Sequence, residues 1–349
     1  VMGSLAGLLF VLFVLWLYRG GIRRQLKHDR TKRVESYSSL LKALLFTAIP
    51  IVFSTAIYNI NQIIDLTIFN HIMSSQGYVE QEYMALQGIY TGKYDTLINV
   101  PMAIANALGA SVVPSLTAAV ANGTKQQVND KINQTLRLTM LIAIPSCVGY
   151  FVLASPIMVL LYNDDSATPA QLLMMGSIVV VLYGLSSVSN SILHGLNRMT
   201  APAKNAGISL VVHLAAFCIM MTVFRMNVYA LVGGNIVFSL CMCILNQIKI
   251  RKVSGYRIDV IHTFVKPFIA AAVMGIVTFG VHSLLALVIG GRFIPAVLSI
   301  LVAMAVYIVA VLRLGTLSEE DIKDLPMGVR LLKYCKKLHL LPEAKAEAE

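Results

Sequence analysis

Nine apolar stretches, each about the length of a bilayer-spanning helix, divide this 349-residue chain and leave little choice of fold. They lie at about 1–18, 41–69, 94–120, 131–153, 171–195, 203–224, 228–249, 265–289 and 293–313. A hydrocarbon core takes roughly 20 helical residues to cross. Composition agrees, because only 13% of residues are charged and 57% are hydrophobic, whereas soluble domains carry about 25% charged residues. The expected fold is an all-α polytopic membrane protein with nine transmembrane helices. Pro50, Pro101, Pro114, Pro145, Pro267 and Pro295 fall inside the stretches. In a bundle, neighbouring helices re-satisfy the carbonyls that proline frees, so kinked spans are expected rather than breaks.

Loop charges orient the set, since Lys and Arg concentrate on cytoplasmic loops. Alternating across nine spans, one side receives 25 of the 28 basic residues, and only Lys93, Arg225 and Arg292 fall opposite, beside Glu80, Glu82, Asp164 and Asp165. This predicts an outside start and a cytoplasmic C-terminus. It also accounts for the net charge of +11 without nucleic acid, because a basic inner face suits anionic membrane lipids. The apolar run Met2 to Tyr18 is followed by its basic cluster, whereas a signal peptide has its positive region first. It is therefore expected to be a spanning helix, in a chain lacking its natural N-terminal part. The chain is expected to divide into a helix at 1–18 that closes a missing N-terminal lobe, a basic cytoplasmic linker at 19–40, a six-helix lobe at 41–252, an additional helix pair at 253–313 and a cytoplasmic tail at 314–349.

Polar residues inside the spans are not scattered. Ser186, Asn190 and His194 recur every fourth residue, as do Asn205, Ser209 and His213 on the next span, so each set lines one helix face. Polar faces within a membrane turn from lipid toward a cavity or another helix. Both stripes are expected to face a common polar cavity. Asn99 and Asn106 share a face seven residues apart, suited either to a substrate or to hydrogen bonds between helices.

Other chemistry finds little support. The five cysteines, Cys147, Cys218, Cys241, Cys243 and Cys335, are odd in number and sit in spans or the tail, against a disulfide framework. Cys241 and Cys243 point to different helix faces and do not suit a metal. Asn122-Gly-Thr and Asn133-Gln-Thr match the glycosylation pattern but fall on the inner side. Phosphate-loop, zinc-protease and nucleophile-elbow patterns are absent from the sequence. The longest outer loop, about 70–93, offers only His71, Glu80 and Glu82 for acid–base work. No enzymatic reaction is expected.

Four stretches carry a family resemblance: YNINQIIDLTIF (58–69), GIYTGKYDTLINVPMAIANALGASVVPSLTAA (88–119), AIPSCVGYFVLASPIMVLLY (143–162) and SNSILHGLNRMTAPAKNAGISLVVH (189–213). In this order the chain resembles the C-terminal part of polysaccharide-type flippases of the multidrug/oligosaccharidyl-lipid/polysaccharide exporter superfamily. It is similar to the stage V sporulation protein B group and to the lipid II flippases. The resemblance implies fourteen helices, in two six-helix lobes plus a final pair, with this chain holding the sixth helix onward and its N-terminal lobe missing. It implies movement of an isoprenoid-linked saccharide across the cytoplasmic membrane by alternating access. The head group would sit in a cavity between lobes, the lipid tail along a groove by the last pair, and cations would offset the pyrophosphate.

The candidate cavity residues are Asn61, Lys93, Asn99, Asn106, Asn190, His194, Asn205, Ser209, His213 and Asn235. Asp65, four residues after Asn61, suits a cation or proton site or an interfacial carboxylate paired locally. Some lipid II flippases hold sodium with an aspartate here and Asn and Asp on the lobe's fifth helix. His213 and Phe217 stand there instead, so the ligand set is incomplete, and coupling through Na+ or through H+ on Asp65 and His213 both stay open. Lys93 is either a displaced counterpart of the family's cavity arginine or a solvated loop residue. Two other functions remain: a cation-coupled small-molecule or multidrug antiporter of the same superfamily, and a membrane-embedded transferase.

Overall fold

The computed structural model describes residues 2–28, 36–289 and 292–316. Most of the expected tail, part of the basic linker (Arg30, Lys32 and Arg33 included) and Cys335 lie outside the described residues. Eleven α-helices follow in order: α1 (Met2–His28), α2 (Tyr37–Ser75), α3 (Glu80–Ile89), α4 (Thr96–Asn122), α5 (Lys125–Val152), α6 (Ala154–Tyr162), α7 (Ala167–Gly195), α8 (Thr200–Thr222), α9 (Tyr229–Ser254), α10 (Lys266–Val288) and α11 (Phe293–Arg313). Two π-helical segments, Tyr90–Asp95 and Ile261–Val265, lead into α4 and α10. The described residues form no strand.

Among the described residues, eight helices are long and apolar enough to cross a membrane, and they match eight of the nine expected spans. The ninth, 41–69, lies within the 39 residues of α2. Pro101, Pro114 and Pro145 sit inside α4 and α5, while Pro267 is in the first turn of α10.

The expected outer loop at about 70–93 is mostly helical. Helix α2 runs on to Ser75, Gly77 turns the chain at φ +87°, and α3 begins at Glu80. Only glycine adopts that backbone cheaply. Glu80 and Glu82 in the first turn of α3 complement the positive end of its dipole. Through the π segment, α3 and α4 form one continuous rod, Glu80–Asn122. On the basic-loop side, α5 starts with a capping box in which Thr124 Oγ1 accepts from Gln127 N and Gln127 Oε1 accepts from Thr124 N.

The chain divides into two compact units, Val1–Ile49 and Pro50 onward. The first holds α1, with Phe13 and Trp16 stacked 6.4 Å apart, and the opening turns of α2. The second is organised on α7, which packs against α4, α5 and α9, while α8 packs on α9 and α10 on α11. Apolar side chains pointing outward, such as Val211, Ile276 and Leu287, would be a liability in water but suit lipid.

Candidate functional site

Polar side chains from four helices and the first π segment converge on a cavity of about 570 Å³ within the second unit. Helix α2 contributes Asn61, Gln62 and Asp65; the π segment Tyr90, Tyr94 and Asp95; and α4 Asn99 and Asn106. Tyr183, Ser186, Ser187, Asn190, Ser191 and His194 come from α7, and Asn235 from α9. The α7 stripe thus borders the space, together with the α4 pair.

The α8 stripe does not. Asn205, Ser209 and His213 are absent from the cavity lining because α8 turns them toward other helices. Asn205 Nδ2 donates to Asn246 Oδ1 on α9 at 2.8 Å, and Asn246 Nδ2 donates to Asn190 Oδ1 on α7 at 2.8 Å. Ser209 is wholly buried and its hydroxyl has no hydrogen-bond partner. His213 is wholly buried, with Nδ1 2.8 Å from the Gly234 carbonyl and Nε2 2.6 Å from Asp65 Oδ1. Polar groups shielded from water find partners on neighbouring helices, and α9 lies between the two stripes to supply Asn246.

Lys93 also stands apart from the cavity. Its amine pairs with Asp164, in the loop after α6, and lies 5.8 Å from the Tyr162 ring centroid. The neighbouring Asp95 faces the cavity instead, and its Oδ2 accepts from Gln62 Nε2 at 3.2 Å. Among the described residues, two carboxylates and no lysine or arginine line the space. The cations expected to offset a pyrophosphate are therefore not supplied by this wall.

The π segment shapes one side. Tyr90 and Tyr94 stack at 5.3 Å, and Tyr90 Oη accepts from Asn235 Nδ2 at 2.7 Å. A wider π turn re-aims side chains relative to an α-helix and recurs at functional sites. Tyr94 fits because α7 carries glycine opposite it: a Cβ on Gly176 would lie 2.2 Å from the ring. Asn61 Oδ1, Tyr94 Oη and His194 Nε2 border the cavity buried and without hydrogen-bond partners. Such groups are costly unless a ligand or water completes them. Ser187 donates to Asn106, linking α7 to α4 along the same wall.

Sequence reasoning missed Gln62, Tyr90, Tyr94, Asp95, Tyr183, Ser187 and Ser191. A signal existed for Asp95, which precedes Asn99 by four residues and so shares the helix face carrying Asn106. A second cavity, of about 660 Å³, is lined by Leu153, Pro156 and Val159, by Phe279 and Ala286 of α10, and by Pro295 of α11, with Asp165 and Arg292 paired at 3.0 Å. Among the described residues, no cluster of three or more His, Cys, Asp or Glu is set to hold a metal.

Comparison with known proteins bears on this arrangement. The chain is 26% identical over 341 residues to the lipid II flippase MurJ of Bacillus subtilis (strain 168), covering 93% of this chain and 61% of that protein. It is 22% identical over 339 residues to stage V sporulation protein B of the same organism, covering 95% and 63% respectively. The chain thus spans somewhat under two thirds of the length of these relatives. A solved structure of lipid II flippase MurJ in an inward closed conformation superimposes with a TM-score of 0.54 at 17% identity, over 86% of this chain and 59% of that one. That likeness is one of fold. The family profile described as lipid II flippase MurJ matches residues 1–299, and a polytopic helical bundle with a polar interior agrees with it: the chain belongs to the MurJ lipid II flippase family.

Proposed function

We propose that the chain forms one wall of the route by which a lipid-linked saccharide, of the lipid II type, crosses the bacterial cytoplasmic membrane by alternating access. The observation that carries this reading is the 570 Å³ polar cavity inside an apolar bundle. A sugar-rich head group in hydrocarbon would leave each polar group unsatisfied at several kcal/mol. Amides, hydroxyls and carboxylates on α2, α4, α7 and α9 replace the lost water. With Asp65 and Asp95 in the lining, the wall suits the hydroxyl- and amide-bearing part of the substrate, and the phosphates meet cations elsewhere. No bond is made or broken in this task.

The second cavity lies between α6 and the final helix pair, and its apolar lining of Leu153, Val159, Phe279 and Ala286, beside the Asp165–Arg292 pair, suits the isoprenoid tail. A second lobe would supply the opposite wall. Basic residues at one end of the second unit, among them Lys125, Arg198, Lys204, Arg251, Lys252, Lys266 and Arg313, support a cytoplasmic orientation of that end against anionic lipid.

The reading is tested by expressing the complete gene in a bacterium depleted of its own lipid II flippase. Restored growth and restored export of wall precursor are expected, with loss of both on Asn106→Leu. Failure to restore either, with export of small cationic drugs instead, would move the assignment to the antiporter branch of the superfamily.

A further inference from the structure

Two hydrogen bonds on one buried imidazole impose a proton count. His213 Nδ1 lies 2.8 Å from the Gly234 carbonyl oxygen, and Nε2 lies 2.6 Å from Asp65 Oδ1. A carbonyl only accepts, so Nδ1 carries a hydrogen. The contact to Asp65 needs one more, on either atom. The pair is complete as carboxylate with imidazolium or as carboxylic acid with neutral imidazole, and both forms are neutral overall. Removing that bridging proton sets lone pair against lone pair and leaves a buried negative charge. A change of ring tautomer only moves the conflict to Gly234.

We propose that Asp65 and His213 form a proton-binding site that clasps α2 to α8 and α9 when loaded, releases α2 when empty, and couples transport to protons rather than to a metal cation. As the driving step of flipping this rests on the transport reading; as a proton site it rests on geometry alone. The ring is held for the purpose, stacked on Phe217 at 5.9 Å and met edge-on by Phe238 at 6.0 Å. Gly234 is what lets the helices approach, since a Cβ there would lie 2.7 Å from His213 Cε1. The other carboxylate oxygen of Asp65 faces the amide donor of Asn61 at 3.4 Å. Both carboxylate oxygens are already engaged, one by the ring and one by the Asn61 amide, which does not make the cage of oxygen lone pairs that a metal cation needs.

Access and consequence follow from position. Asp65 borders the cavity and His213 does not, so the proton enters from the cavity side. Among the described residues, helix α2 makes few close backbone approaches to other helices. Its remaining side-chain ties include Gln62 to Asp95 and Gln76 Nε2 to the Met221 carbonyl. The titratable groups that share the cavity lining with Asp65 are Asp95, Tyr90 and Tyr94 on the rod of α3 and α4, and Tyr183 and His194 on α7. On α9 the neighbouring lining group is the amide of Asn235, which does not titrate.

The experiment is pulsed electron–electron distance measurement on the full chain in lipid nanodiscs, with the native cysteines replaced. Spin labels go on exposed Ile63 of α2 and Val211 of α8, and pH is varied through the carboxylate and imidazole range. The α2–α8 distance is expected to lengthen as pH rises, with a single-proton slope, identically in sodium and choline chloride. Asp65→Asn keeps the clasp at every pH, because the amide donates to Nε2 without a titrating proton. His213→Phe preserves the aromatic packing and gives the long distance throughout. Gly234→Ala weakens the loaded form and shifts the midpoint to lower pH. A distance indifferent to pH, a response that requires sodium, or a pH response surviving in Asp65→Asn overturns the proposal. No substrate is present, so the outcome is independent of whether the chain flips lipid II.

Discussion

Lys93 and Asp164 form an ion pair that ties the π segment before α4 to the loop after α6, 71 residues on in the chain. The Lys93 amine, with a backbone hydrogen bond from Ser166 at 2.9 Å, holds the Asp164 carboxyl down to about 2 from an ordinary 3.8. A lowered carboxylate value contributes stability that is complete above 3.8 and fades as pH falls through about 2. The pair is partly exposed, so its worth is about 0.2–1 kcal/mol. Thermal unfolding in detergent should show Asp164→Asn less stable than wild type by that amount at neutral pH. The gap should narrow once pH drops below the ordinary carboxylate value; a constant gap across this range would assign the loss to something other than the ion pair.

Gly176 and Tyr94 make a second testable fit. A methyl at Gly176 would lie 2.2 Å from the Tyr94 ring and 2.4 Å from its oxygen, and a buried ring between helices has little room to give. Gly176→Ala should cost about 1–3 kcal/mol as overpacking, and less when combined with Tyr94→Val. Tyr94→Phe should be neutral or slightly stabilising, because the buried hydroxyl lacks a partner. The same variant should lower flipping if that hydroxyl serves the substrate. Unfolding and transport measured side by side separate the two effects.

Asn246 is the joint between the stripes of α7 and α8, giving to Asn190 and taking from Asn205. Hydrogen bonds between membrane helices average about 0.6 kcal/mol and reach about 1.7. Replacing Asn246 with Leu breaks these two and a longer one of 3.4 Å to the Ser186 carbonyl, so a loss of about 1–2 kcal/mol is expected. A double-mutant cycle of Asn205→Ala with Asn246→Ala should show coupling of about 0.5–1.5 kcal/mol. Zero coupling would mean that the amide chain does not contribute to helix association.

Much of this was legible before any coordinates. Apolar length located the spans, because only hydrocarbon demands runs of that kind, and the four-residue repeat of Ser186, Asn190 and His194 placed one helix face on the cavity. Periodicity names a face but not the neighbour that meets it. The identical repeat on α8 therefore looked like a second cavity wall, whereas Asn246 and Gly234 of α9 take Asn205 and His213, and Ser209 is buried without a partner. Lys93 was ambiguous for a related reason, since its partner lies in a distant loop. Helix α3 escaped notice because its apolar stripe of Tyr83, Leu86 and Ile89 is far too short to register as a span. Asp65 and His213 were set at one site by the family resemblance, because their 2.6 Å contact joins positions 148 residues apart, which no local pattern encodes.

Asp95 gives the sharpest test of the wall's chemistry. Its carboxylate borders the cavity and accepts from Gln62 at 3.2 Å. An Asn side chain of the same shape still accepts that bond, so Asp95→Asn should leave the unfolding temperature nearly unchanged. What it removes is a charged acceptor. Hydrogen bonds to charged groups are worth about 1.5–3 kcal/mol against about 0.5–1.5 for neutral ones. A hydroxyl or amide donor of the substrate should therefore lose about 1.4 kcal/mol, or roughly tenfold in apparent affinity. Flipping assayed in vesicles at limiting lipid-linked substrate should fall by that factor and recover at saturating substrate. If this wall faced phosphate instead, removing a negative charge would raise the affinity, and the sign of the change decides between the two.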